Sequence, residues 1–291
     1  MATRKNATTA SGAAPARVNV PSGARRVAAE RTPASDIEAL SDDPNFMTSL
    51  ARGLAVIAAF TDRRRRPTIA DLARKTGIPR AAVRRCLYTL EKLGYVDSEA
   101  YTFGLLPKVL SLGHAYLGSA PLAVSAQPFL DRVSEVLDES CSLAVLERDD
   151  ILYLARSVAS RILSVNLNVG SRLPAYCTSI GQVLLADLTD AELDAYIRRT
   201  TLVRYTDRTV ASAEELRNVL EAVRRNGHAL ADQEMEVGIR SIAVPVRHAA
   251  GAVVAGINVI TQAQRMTVRD LRAKVLPQLL AAATELSATL R

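Results

Sequence analysis

The sequence predicts an α+β protein of two domains: an N-terminal winged helix-turn-helix, then a domain in which helices flank a mostly antiparallel sheet. Three observations carry this. Residues 68 to 93 hold two helical patterns joined by a tight turn, the residues after them alternate as a short hairpin, and from residue 122 helical patterns alternate with strands. At 291 residues and 48% hydrophobic, the chain is long enough for two cores.

The first helix of the pair starts at Thr68, whose hydroxyl can accept the amide near Asp71, and stops at Gly77, a residue suited to a left-handed cap. Ile69, Leu72 and Ala73 then share one face. After Ile78 and Pro79, the second helix sets Val83, Leu87, Leu90 and Leu93 at helical spacing, which predicts an inward stripe. Arg80, Ala81, Ala82, Arg84, Arg85 and Tyr88 fall mostly outside it. Alanine permits close backbone approach, and arginine bridges two guanine acceptors or holds a phosphate, so this face has what insertion into a major groove requires.

The bland alternative is a helical hairpin with a solvated charged face. Charge density argues against it: ten Lys or Arg between Thr61 and Lys92 oppose three acids, a local excess of seven that equals the +7 of the whole chain. After Gly94, Tyr95 and Val96 start a strand, Asp97 to Ala100 can turn, and Tyr101 to Phe103 return as a second strand. The partner expected is double-stranded DNA. Aromatics at 4% and the absence of Trp disfavour a stacking platform for single strands.

Ahead of this unit, residues 1 to 44 are rich in Ala, Ser, Thr, Pro and Arg with no acid before Glu30, which predicts a disordered tail. It has no apolar core of a secretory signal. From Asn45 a helix places Leu50, Leu54, Ile57 and Phe60 on one side, completing a three-helix core. Arg63, Arg64, Arg65 and Arg66 follow in a loop from which they could reach phosphates. The DNA-binding domain is expected over residues 45 to 105, with Thr68 among its contacts. Residues 106 to 121 form a linker: Pro107 to Leu117 is helical and Gly118 to Pro121 breaks it.

Residues 122 to 291 form the second domain. A helix around Ala126 to Glu139 precedes strands at CSLAVLE, ILYLARSV and ILSVNLNVG; helices follow at IGQVLLADL, Asp190 to Arg199 and Ala213 to Arg225. Strands at Ser241 to Val246 and Val253 to Ile260 precede a closing helix capped by Thr267 with Asp270. The segment GSRLPAYCTSIG sets a Gly-Ser turn, a proline and hydroxyls before a helix start, whose free amides can hold a carboxylate. Thr178 and Ser179 could add hydroxyl bonds, with Leu173 and Tyr176 along an apolar ring; a well-capped helix after a strand explains the same residues equally well.

An enzyme is the weaker class. Cys177 to Gly181 falls one glycine short of a nucleophile elbow, and His114, His228 and His248 are scattered, without metal-ligand spacing. Three cysteines, odd in number, give no disulfide or zinc framework and fit a reducing cytoplasm. No apolar run approaches the ~20 residues that span a bilayer. No metal or cofactor is expected. A DNA coater without a sensor would leave the second domain unexplained.

Over residues 45 to 291 the chain resembles the IclR family of bacterial transcriptional regulators. SLARGLAVIAAF, RAAVRRCLYTLEKLGYV and SRLPAYCTSIGQVLLA look like its subgroup that controls aromatic-acid breakdown through the β-ketoadipate pathway. The resemblance implies a winged helix, a linker helix, a GAF-like effector domain and homodimers that often pair into tetramers, with RNA polymerase as a further candidate partner. It implies an effector pocket taking Leu173, Ser179 and Ile180 from the strand-to-helix turn, Ser241, Asn258 and Asp232. The effector implied is a small aromatic acid or a β-ketoadipate-type acid. Regulation of another small organic acid's metabolism is the alternative within the family.

Overall fold

A computed structural model of the chain describes residues 32–60, 66–119, 121–159 and 167–290. It divides into two compact units, one ending at Ala120 and one running from Pro121 to the C-terminus.

The first unit opens with α1 (Pro33–Glu38), capped by Thr32 and started by a proline whose missing N–H costs a first turn nothing. This corrects the disordered tail expected through residue 44. Ala34 and Ile37 give the segment an apolar side, and Ile37 is buried in the same core as Val56, Leu72, Ile78, Val83, Leu87, Leu90 and Val96. In α2 (Thr48–Ala58) the expected inward face is half met: Ile57 and Phe60 pack against the core, but Leu50 and Leu54 are more than half exposed, and Val56 and Ala59 are buried instead. Small residues, Ala51, Ala55 and Ala59, face the core and let α2 approach its neighbours closely. The outward leucines join Leu93, exposed and not inward as expected, and Leu112 along a groove of about 590 Å³.

Helix α3 (Ile69–Thr76) has the capping box foreseen at Thr68 and Asp71, and Gly77 closes it at φ 74°. Glycine is required there twice over, because a Cβ would also lie 2.7 Å from the Thr32 hydroxyl. Helix α4 (Arg80–Lys92) buries Val83, Leu87 and Leu90. Strands β1 (Val96–Glu99) and β2 (Thr102–Leu105) form the hairpin. Its turn is Ala100 and Tyr101, both at positive φ, so Asp97 to Glu99 pair in the strand where a turn was expected. A bridge between Thr68 and Thr102 and a bond from the Phe103 amide to Pro67 O (3.0 Å) fasten the wing to the start of α3. A 3₁₀ turn at Pro107–Val109 leads into α5 (Leu110–Ser119).

The second unit begins with α6 (Pro121–Leu137), so of the break expected over Gly118 to Pro121, Gly118 and Ser119 are helical in α5 and Pro121 opens α6; Pro128 lies inside this helix. Strands β3 (Ser140–Glu147), β4 (Asp150–Ser157) and β5 (Arg172–Pro174) follow; β5 was not foreseen, and most of the expected strand ILSVNLNVG lies outside the described residues. Then come α7 (Ser179–Ala186), α8 (Asp190–Arg199), α9 (Ala213–Asn226), β6 (Ala229–Asp232), β7 (Ile239–Arg247) and β8 (Val253–Gln262). A capped turn, α10 (Val268–Asp270), passes through a π turn at Leu271–Val275 into α11 (Leu276–Thr289).

Among the described residues of this unit the strands form one sheet in the order β5-β4-β3-β8-β7-β6, antiparallel throughout. Successive side chains point to opposite faces. One face, with Cys141, Leu143, Ile242, Val244, Ile257 and Val259, packs on α6 and α11. The other, with Ala144, Ile151, Tyr153 and Ala243, packs on α7 and the helices behind it. No helix among the described residues is long and apolar enough to cross a membrane.

Candidate functional site

On the first unit, α4 turns Arg80, Ala81, Arg84, Arg85 and Tyr88 outward and leaves Ala82 half-buried, because Val83, Leu87 and Leu90 fix the opposite side in the core. Arg80, Arg84 and Tyr88 succeed one another at four-residue spacing and so form one exposed row. The three arginines of this helix have no carboxylate partner among the described residues. Elsewhere arginine is usually paired: Arg132 with Glu285, Arg199 with Asp149, Arg247 with Asp187 and Arg265 with Glu139. Unneutralised guanidinium groups on a projecting helix are the electrostatic footprint of a polyanion site.

Two expected contacts serve the fold instead. The Thr68 hydroxyl donates to Asp71 Oδ2 at 2.7 Å and accepts the Asp71 amide at 3.2 Å. Arg66 pairs with Asp97 at 2.7 Å across the wing, over Gly104, where a Cβ would meet the guanidinium. Arg63, Arg64 and Arg65 lie outside the described residues.

On the second unit, the α7 side of the sheet carries a row of polar groups set by strand register. Arg156 on β4 pairs with Ser142 on β3, which pairs with Asn258 on β8, which pairs with Ala243 on β7. Ser241, two residues before Ala243, shares that face, and so does Leu173 through its pairing with Ile151. Ile180 of α7 sits on the same side, directly on Gly256; a Cβ at Gly256 would lie 2.8 Å from its Cγ2. Gly181 packs so closely on Ala175 that a Cβ would fall 2.0 Å from the Ala175 carbonyl oxygen, which accounts for a glycine at this helix start.

The polar atoms of this face lack protein partners. Arg156 Nε and Nη1, Ser142 Oγ, Asn258 Oδ1 and Ser179 Oγ are buried with no hydrogen bond among the described residues. Burial also pulls the Arg156 pKa below the ordinary arginine value. A buried group left without a partner costs about 1–3 kcal/mol, and more when it is charged. Four such groups on one sheet face and the adjoining helix start therefore fit a ligand with both donors and acceptors. Thr178 stands at the N-cap of α7 without capping it; its hydroxyl donates back to Pro174 O at 3.0 Å. The first-turn amides of α7 thus keep their affinity for an anion.

The structure sorts the sequence-derived effector residues. Leu173, Ser179, Ile180, Ser241 and Asn258 stand on the α7 side of the sheet. The Tyr176 hydroxyl is committed to Val203 O at 2.7 Å, and that of Thr178 to Pro174. Asp232 is a correction: its register with Arg240 turns it to the α6/α11 face, where it pairs with Arg240 and Arg208. Sequence reasoning missed Arg156 and Ser142, although an arginine inside the apolar run ILYLARSV was the available signal.

Below α7, Gln182 Nε2 donates to Tyr176 O (3.2 Å) and to Glu234 Oε2 (2.9 Å). Glu234 is buried, and desolvation, with the charge of Asp232 adding to it, pushes its pKa up to about 7 against the bond from Gln182. Its folded value exceeds the unfolded one, so the folded state takes up a proton between about pH 4.5 and 7, and stability falls as pH rises through that window. Glu234→Gln should remove that slope and, relative to wild type, gain on the order of 3 kcal/mol between pH 4.5 and 8 in urea melts. Parallel pH profiles for the two proteins would contradict a raised Glu234 pKa.

The IclR helix-turn-helix domain family matches residues 49–100, and the family described as bacterial transcriptional regulator IclR C-terminal matches residues 114–288. The chain is 55% identical to the Pca regulon regulatory protein of Pseudomonas putida over 88% of each chain. It is 36% identical to the p-hydroxybenzoate hydroxylase transcriptional activator of Acinetobacter baylyi, over 87% of this chain and 95% of that one. Among solved structures, an IclR homolog complexed with 4-hydroxybenzoate from Microbacterium hydrocarbonoxydans superposes with a TM-score of 0.72 at 27% identity, covering 84% of this chain and 99% of its own.

Proposed function

This chain belongs to the IclR family of bacterial transcriptional regulators, and from that premise we propose that it controls aromatic-compound catabolism genes of the β-ketoadipate pathway in response to a small carboxylic acid. The acid is aromatic or a ring-cleavage product. The reading rests on one observation above the others: a half-buried arginine, Arg156, whose buried Nε and Nη1 have no hydrogen-bond partner among the described residues, in register beside the unpaired Ser142 and Asn258. A carboxylate answers Arg156 by charge-assisted hydrogen bonds, the Ser179 end of α7 supplies further donors, and the apolar Leu173 and Ile180 suit a ring. The relative solved with 4-hydroxybenzoate supports a ligand of this class.

DNA is the second partner. In a cytoplasmic homodimer, two copies of α4 would enter successive major grooves on one face of a palindromic operator, about 34 Å apart. The acid acts by binding one arrangement of the dimer more tightly than the other, since equal affinity shifts nothing. Ser179 has no role as a nucleophile here: its hydroxyl has no basic partner among the described residues.

Arg156→Ala should weaken binding of protocatechuate or 4-hydroxybenzoate at least tenfold in titration calorimetry while operator affinity stays at the wild-type level; wild-type ligand affinity in that variant removes Arg156 from the site. Arg84→Ala should cost on the order of 1–3 kcal/mol of operator affinity and less on unrelated DNA. Equal losses on both sequences would reassign Arg84 from base to phosphate.

A further inference from the structure

A second buried acid lies one helical turn from the start of α7. Glu234, in the loop between β6 and β7, is 8% exposed, and among the described residues no lysine, arginine or histidine pairs with it. The backbone is constrained to put it there: Gln233 is held at φ 63°, in the left-handed region that such residues seldom adopt. Thr206 Oγ1 donates to Gln233 O (2.7 Å), Thr209 Oγ1 to Glu234 O (2.6 Å), and the Gly238 amide to Gln233 Oε1 (3.1 Å). The carboxyl is thereby turned onto α7, where its Oε2 accepts from Gln182 Nε2 at 2.9 Å. Gln182 lies three residues beyond Ser179, at the helix start that faces the proposed effector.

The amide of Gln182 tells the two protonation states of Glu234 apart. Its Nε2 is spent on Glu234 and on Tyr176 O, and its Oε1 is buried with no partner among the described residues. An ionised carboxylate has only acceptors to offer that oxygen, whereas a carboxylic acid has an O–H to donate. The groups around Glu234 put no counter-charge in place of that proton. Cys177, ahead of α7, and the phenols of Tyr176 and Tyr205 next to it are kept neutral by burial. On β6, Asp232 is itself an acid, already paired with Arg208 and Arg240. Burial, with the Asp232 charge adding to it, holds the Glu234 pKa up at about 7, where one further anion nearby moves its titration across neutral pH.

We propose that the effector and a proton bind together: the acid held by Arg156 and the start of α7 is accompanied by protonation of Glu234 from solvent, which removes the repulsion between two anions on successive turns of α7 and gives Gln182 Oε1 its donor. Glu234 does not touch the effector; it acts through α7 and through its charge. The proposal rests on the effector site described above and adds that occupancy of this site depends on pH. The sign follows from linkage: an acid ionised throughout binds best to the form in which Glu234 is neutral, so affinity is highest below the Glu234 pKa and falls as pH rises through it.

Titration calorimetry of the full chain with protocatechuate, 4-hydroxybenzoate, muconate and β-ketoadipate tests this, each between about pH 6 and about pH 8.5 and in two buffers of different ionisation enthalpy. At about pH 7.5 the wild type should take up roughly half a proton per acid bound. Its affinity should fall on the order of tenfold across the range, as expected for two charges ~10 Å apart at an effective dielectric of about 20. Glu234→Gln should bind at about pH 8 as tightly as the wild type does at about pH 6, with the same heat in both buffers. Binding to the wild type without proton uptake would overturn the coupling whether or not the variant folds, and so would an equal pH slope in the variant. Failure of all four acids to bind the wild type at about pH 6 would overturn the effector reading together with the coupling.

Discussion

Guanidinium nitrogens shut off from water need hydrogen-bond acceptors, and the described residues of the second unit supply none to Nε and Nη1 of Arg156. Arg156 is held by strand pairing in line with Ser142 and Asn258, so none of the three can turn away without disturbing the sheet. The opposite face of the same strands is apolar and packed on α6 and α11, which fixes the register: a slip of one residue would bury the polar row in that core and turn Ile257 and Val259 toward α7. Helix α7 is then pressed onto the polar face by Ile180 on Gly256 and Gly181 on Ala175. The unmet hydrogen bonds of this face are thus a consequence of the packing on both sides of the sheet.

The first unit answers a related constraint at its surface. Its core accounts for Val83, Leu87 and Leu90, and what remains outward in the first half of α4 is Arg80, Arg84 and Arg85, with the acid Glu91 at the far end of the helix. Two other basic or hydroxyl side chains nearby, Arg66 and Thr68, hold the wing and the start of α3 in place, so the unit separates residues that shape the reading helix from residues free to touch DNA.

The architecture was legible where local signals were strong. Thr68 with Asp71, Gly77 and Thr267 with Asp270 mark helix ends by chemistry that operates within four residues, and β7 and β8 are long enough for their alternation to be plain. Where tertiary packing decides, the sequence misled. Leu50, Leu54 and Leu93 carry a helical apolar period, yet the small alanines of α2 pack inward and the leucines line a groove. Helix α1 hid in a polar, Ala-rich stretch because a single buried Ile37 and one contact at Gly77 hold it. The proposed effector site was half legible: the α7 start announced itself through Gly, Pro and hydroxyls, whereas Arg156 and Ser142 come side by side only through the β3–β4 register, and the same kind of register turns Asp232 to the other face.

The central claim is that an aromatic or ring-cleavage acid bound on the α7 face of the sheet changes how the chain holds DNA. The most direct measurement is a gel shift on DNA from upstream of its own gene, at fixed salt, with protocatechuate, 4-hydroxybenzoate, muconate and β-ketoadipate added one at a time. The account predicts sequence-specific retardation whose midpoint moves with at least one of these acids, and a midpoint that no longer moves when Arg156 is replaced by alanine. Specific retardation indifferent to every acid would contradict it.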